Sequence, residues 1–203
     1  MTVSTRMKLL ATAGLVGGAA AAAGLGTFGS FTSTTSASQG VQSGTVTIAL
    51  GSAGTATNRL TVGASNIVPG DTIQRQVQLS NSGTANLASV TLTTTASPSS
   101  LLDTDTTNGL QLTVQSCATA WTEAGTAPAY TYTCAGTATT VLASRPVIGS
   151  NLPLPGLGSL TAGGVDHLLV TLNFPAVAPN SLQAQSSTVS FSFAGTQRTG
   201  QPG

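Results

Sequence analysis

Charge is scarce in this chain: 203 residues carry six lysines and arginines, five carboxylates and one histidine. Beyond residue 37 the bases are Arg59, Arg75, Arg145 and Arg198 and the acids Asp71, Asp103, Asp105, Glu123 and Asp166, so four against five leaves about minus one. So neutral a surface offers no footprint for nucleic acid or an anionic membrane. With His167 as the sole histidine, a metal site or a Ser/His/Asp arrangement has almost nothing to draw on. The remaining pairing, Asp166-His167, places neighbours on opposite faces of a strand, where they do not orient one another, so the plainer reading of His167 is the polar start of a strand at Leu168. No Gly-x-Ser-x-Gly elbow, Walker-type loop, dinucleotide fingerprint or His-Glu-x-x-His helix occurs. The expectation is a chain that is not an enzyme and has no cofactor.

Low charge does not make the chain disordered, because Val, Leu, Ile and Phe are spaced regularly through Thr and Ser. It does remove the repulsion that keeps soluble proteins apart, so self-association is physically easy.

Long apolar runs are absent except at the start. Arg6 and Lys8 precede an uncharged, Ala- and Gly-rich stretch over residues 9–31, which gives way to Thr32-Ser33-Thr34-Thr35-Ser36-Ala37. A basic region, an apolar helix and a small-residue exit describe an export leader over residues 1–37, with cleavage expected between Ala37 and Ser38. A membrane anchor is the alternative, since 23 helical residues would cover a bilayer core of about 30 Å. Gly14, Gly17, Gly18, Gly24, Gly26 and Gly29 weaken such a helix. The expected location is therefore secreted, with the membrane engaged only through an uncleaved leader.

Residues 38–203 suffice for one domain. Its cysteines, Cys117 and Cys134, most simply form a disulfide in an exported chain. Their loop holds Trp121, Tyr130 and Tyr132, which either pack around the bridge or form a platform for sugar rings.

Period-two alternation dominates and helical spacing is hard to find, which predicts an all-β protein of about eight or nine strands. Val46, Ile48 and Leu50 form one face, with Leu60 and Val62 a shorter pair. Ile73, Val77 and Leu79 lie opposite Gln74, Gln76 and Gln78. Arg75 shares the apolar face, where a residue near a sheet edge buries its stem and sends its head to water. Further runs start at Val90, Leu110, Tyr130, Leu168 and Val189. Pro69-Gly70-Asp71, Asn81-Ser82-Gly83 and Asn108-Gly109 are turn signals, the Asn81 turn reading as a hairpin. Residues 144–164, rich in Pro and Gly, read as a loop or an irregular edge rather than a central strand. This pattern predicts an antiparallel two-sheet sandwich of jelly-roll type behind an apolar leader helix.

Asp103-Thr104-Asp105-Thr106-Thr107-Asn108-Gly109 offers the single candidate for a hard cation, through Asp103, Asp105 and Asn108. The twelfth position of a helix-loop-helix calcium loop would be Val114 rather than Glu, and the same residues equally cap a turn.

Three segments carry a resemblance. Arg6-Met7-Lys8 leads through glycines to Thr27-Phe28-Gly29-Ser30-Phe31-Thr32 and then Ser43-Gly44-Thr45-Val46. Ile67-Val68-Pro69-Gly70-Asp71-Thr72 leads into a strand ending Leu79-Ser80-Asn81-Ser82-Gly83-Thr84. Val189-Ser190-Phe191-Ser192-Phe193-Ala194-Gly195-Thr196-Gln197 closes the chain. In order and spacing these resemble the TasA/camelysin family of bacterial exported matrix proteins, whose leaders are cut by a signal peptidase of the endoplasmic-reticulum type. The acidic residues usual after the leader's Phe are here Thr and Ser, and the cysteine pair with the Pro-rich loop is an elaboration. The resemblance implies a jelly-roll domain that forms matrix or cell-surface fibres, the mature N-terminal segment filling a groove in the next subunit. Some relatives carry a metallopeptidase label; the missing zinc-ligand set argues against transferring it.

The implied partners are further copies of the chain and other matrix or cell-wall components. Residues 38–50, with Val46, Ile48 and Leu50 as anchors, are the candidate donor, since an extended apolar segment adds readily to an open sheet edge. Equally, they form the first strand of their own domain. The competing function is a monomeric adhesion or carbohydrate-binding module.

Overall fold

The computed structural model describes residues 45–60 and 66–200, all within the compact unit Ser43–Gly203. The leader, the cleavage pair Ala37 and Ser38, the first part of the candidate donor segment and Val62 lie outside the described residues.

Among the described residues ten strands follow in chain order: β1 (Ile48–Leu50), β2 (Thr72–Asn81), β3 (Leu87–Ala96), β4 (Gln111–Cys117), β5 (Thr122–Thr126), β6 (Ala129–Thr133), β7 (Ala138–Pro146), β8 (Gly149–Pro153), β9 (Val165–Asn173) and β10 (Val189–Gln197). A single helical turn, α1 (Leu101–Thr104), separates β3 from β4. Every pairing is antiparallel. One sheet has the order β1-β2-β9-β4-β7, a second β10-β3-β8, and β5 pairs with β6 as a separate hairpin.

Alternation explains how the sheets meet. Val77, Leu79, Leu112, Val114, Leu168 and Val170 project from the five-stranded sheet into one core, where Val90, Leu92 and Leu152 of the other sheet join them. Each of these is at most 5% exposed, which makes the two sheets faces of one hydrophobic layer. Burial contributes about 1.5–3 kcal/mol per side chain of this kind. Leu169, between Leu168 and Val170, necessarily points to the other face, where it meets Trp121 and Cys117 in a second, smaller cluster.

Several expectations change. The Asn81 turn is not a hairpin, because β2 and β3 belong to different sheets. Its chemistry is as read: Asn81 Oδ1 accepts from Gly83 N at 3.0 Å and Asn81 Nδ2 donates to the Ala85 carbonyl. The donors beyond it, Ser82 N and Thr84 N, turn to the carbonyls of Thr47 and Thr45, so the first strand, not β3, lines this end of β2.

Leu60 lies in a turn rather than a strand. The Pro/Gly-rich stretch contains β8, an edge strand held to β3 in a broken register, with Gly149 and Pro153 at its two ends. β7 hides from a period-two reading because two register shifts interrupt its pairing with β4. α1 arises from a capping box in which Ser100 Oγ accepts from Leu102 N and Asp103 Oδ1 accepts from Ser100 N.

Candidate functional site at the first strand and the disulfide hairpin

The first strand forms an edge. Ile48, Ala49 and Leu50 pair with Asn81, Ser80 and Leu79. Thr45 extends the contact, its carbonyl accepting from Thr84 N and Ala85 N and its N–H donating to Thr84 Oγ1. Of the three predicted anchors, Val46 and Ile48 are partly buried against the main core, whereas Leu50 is 38% exposed. Ile48 fits over β10 because position 195 is glycine: a Cβ there would lie 2.9 Å from Ile48 Cγ1. These residues thus form the first strand of their own domain, docked by two apolar side chains and by main-chain bonds along one side.

Beyond β1 the chain loops out and returns to the same edge of β2. Gly51 N donates to Gln78 O, Gln78 N to Thr57 O and Arg59 N to Gln76 O, so residues 51–60 extend the edge that β1 begins. Buried Asn58 ties the loop to itself through its Nδ2 on the Gly51 carbonyl.

The hairpin β5–β6 lies against this loop. The Cys117–Cys134 disulfide, with Cα atoms 5.8 Å apart, closes its base. Trp121 is buried and its Nε1 donates to the His167 carbonyl at 2.9 Å. Glu123 accepts two bonds from Arg59, from Nε at 2.9 Å and from Nη2 at 2.6 Å, and a third from the Tyr132 hydroxyl at 2.9 Å. The Arg59 guanidinium also lies 4.7 Å from the centroid of the Tyr130 ring, with that of Arg75 at 5.7 Å.

Electrostatics follow this geometry. Hydrogen bonds from Arg59 hold the Glu123 carboxyl below its ordinary range, against the opposing effect of burial. The Tyr132 hydroxyl is pushed well above its usual value, first by burial and then by its bond to Glu123. Arg75 is 5% exposed, and its guanidinium donates to the carbonyls of Gln74 and Pro128. Its head therefore does not reach water, because the hairpin's turn covers it. Burial lowers its pKa accordingly.

The arrangement revises the sugar-platform expectation. Trp121 is turned inward, and a face of Tyr130 is engaged by arginine. Neither Arg59 nor Glu123 was legible as a pair, since 64 residues separate them and no local motif marks either.

The other candidate residues have structural occupations. Asp103 accepts from Ser99, Ser100 and Ser187; burial raises its pKa, but these bonds outweigh that and lower it overall. Asp105 accepts from Thr107 N, Asn108 N and Asn108 Nδ2, and these bonds likewise lower its pKa. Asp166 accepts from Gly158 N and Ser159 N, both at 2.8 Å. His167 borders a cavity of about 40 Å³ with Trp121, Gln76 and Gln78, room for water but not for a sugar ring or a peptide.

Comparison with curated proteins finds no match. The family described as camelysin metallo-endopeptidase matches residues 7–202. That description points to a peptidase and corrects the expectation of a chain without enzymatic function. A catalytic zinc takes about three His, Glu, Asp or Cys ligands converging on one point. Among the described residues no such group of three or more stands together, and Asp103, Asp105 and Asp166 spend their oxygens on hydrogen bonds within the fold. The described residues therefore do not fit a metal centre. Because the match spans nearly the whole sequence, the chain belongs to the camelysin family, the family of the TasA proteins, whose members are typically extracellular or at the cell surface.

Proposed function

We propose that the protein is a secreted structural component that assembles with copies of itself into fibres of the extracellular matrix or cell surface, by donation of its N-terminal strand. The observation that carries this reading is the docking of residues 45–50: an uncharged edge strand bonded along one side, with Val46 and Ile48 partly buried and Leu50 exposed. A strand seated so lightly in its own domain can exchange for the same strand of a neighbour with little change in contacts, because the incoming segment offers the same hydrogen bonds and side chains. The near-neutral surface favours close approach of copies. A jelly-roll classification, removal of the leader between Ala37 and Ser38, and engagement of other matrix or cell-wall components belong to the same reading. Its test is electron microscopy of the secreted chain and of a chain lacking residues 38–50. Fibres from the first and none from the second support donation.

The family description favours a second reading, a metal-dependent endopeptidase. Cleavage of an unstructured protein substrate by the purified secreted chain, abolished by a chelator and restored by added zinc, supports it.

A further inference from the structure

Two elements remote in sequence meet at Arg59 and Glu123. Arg59 belongs to the loop that continues from β1, and Glu123 to a hairpin whose base is closed by the Cys117–Cys134 disulfide. The hairpin is fixed to the five-stranded sheet by means independent of that loop: the disulfide to the end of β4, Trp121 packed on Leu169, and the Arg75 bond to the Pro128 carbonyl. The loop, by contrast, follows the shortest strand among the described residues and carries one charged side chain, Arg59. One nitrogen of that side chain, Nη1, donates to the loop's own Gly54 carbonyl; the rest engages the hairpin, through a two-point bond to Glu123 and a face of Tyr130. Tyr132 in turn holds Glu123 in position.

We propose that the disulfide-closed hairpin is a clasp: by gripping Arg59 it fixes residues 51–60 along β2 and so limits how readily β1 leaves its own sheet. A two-point bond between guanidinium and carboxylate sets direction as well as attraction, and it ties the loop to an element outside itself. Since β1 and the loop lie in series on one edge of β2, a loosened loop leaves β1 held by Val46, Ile48 and its few main-chain bonds. The consequence for assembly, that the clasp governs the supply of free donor strands, rests on the fibre reading above. The clasp itself does not.

The experiment is amide hydrogen exchange on the secreted chain, comparing the parent with Glu123→Gln and with Tyr132→Phe. The amides of Gly51 and Arg59, bonded to β2, report the loop; those of Leu154 and Phe174, bonded to Val90 and Asp71 and so to neither loop nor hairpin, report the rest of the fold. Glu123→Gln is expected to exchange about fivefold faster at Gly51 and Arg59, with Leu154 and Phe174 unchanged. Tyr132→Phe is expected to act at the same amides in the same direction, more weakly. Unchanged exchange at Gly51 in both variants, or equal acceleration at all four amides, overturns the clasp. Fibre growth is recorded in parallel. Acceleration at Gly51 with a shorter lag before fibres supports both ideas, whereas acceleration with no fibres from any chain keeps the clasp and defeats the assembly reading.

Discussion

Glu123 stands where three side chains converge, and its protonation has a definite direction of effect. Arg59 and the Tyr132 hydroxyl bond its carboxylate, with Arg75 also nearby and Tyr130 beneath both arginines. Its folded pKa is lowered from 4.5, so folding binds fewer protons here than the unfolded chain does. Its contribution to stability is accordingly present above that value and is lost as pH falls through the lower, folded one. Denaturant unfolding of the parent and of Glu123→Gln across pH 7 to pH 3 checks this. The gap between them is expected to narrow toward acid, while Asp103 and Asp105, also lowered, make both chains weaken together. At this scale the sequence told much about the turns and little about the pairs. Asn81 and Gly70 could be read because their roles are local; Arg59 and Glu123 could not, because only the fold brings them together.

At the scale of elements, the strands that alternation revealed include β3, β4 and β10, whose apolar side chains turn to one face and whose polar ones turn to the other. β5 was invisible because Thr122, Glu123, Ala124, Gly125 and Thr126 offer no apolar rhythm; it is a strand because β6 and the disulfide hold it. Removing that bridge by Cys117→Ala with Cys134→Ala is expected to cost about 3 kcal/mol in chemical unfolding, the value for a loop of this length in the chain-entropy model. The docking of the first strand has its own test at Gly83, where a Cβ would collide with the Thr45 carbonyl oxygen and lie 2.9 Å from Thr47 N. Gly83→Ala is therefore expected to expose residues 45–50 to limited proteolysis while the β2–β9 ladder stays protected in hydrogen exchange. Equal loss of both would show that the first strand does not dock as an independent element.

For the whole molecule, the sequence indicated an antiparallel β-protein and its family, and both hold. What it could not give was which strands share a sheet, since sheet membership depends on long-range register. The Asn81 turn illustrates this: an ordinary hairpin signal carries the chain from one sheet to the other because β1 occupies the place β3 would need. The peptidase description of the family lay beyond residue-level reading, because no ligand set marks it among the described residues. Assembly driven by main-chain bonds and apolar side chains on so neutral a chain is expected to depend weakly on ionic strength. Light-scattering lag times should therefore differ little between 20 mM and 500 mM salt, in contrast to an assembly steered by charge.

The most direct test of the assembly account is to image the chain spanning residues 38–203 beside one spanning residues 51–203, each with and without a synthetic peptide of residues 38–50. The account predicts fibres from the longer chain, none from the shorter, and tight one-to-one binding of the peptide by the shorter chain. Fibres of unchanged appearance from residues 51–203 alone would contradict it.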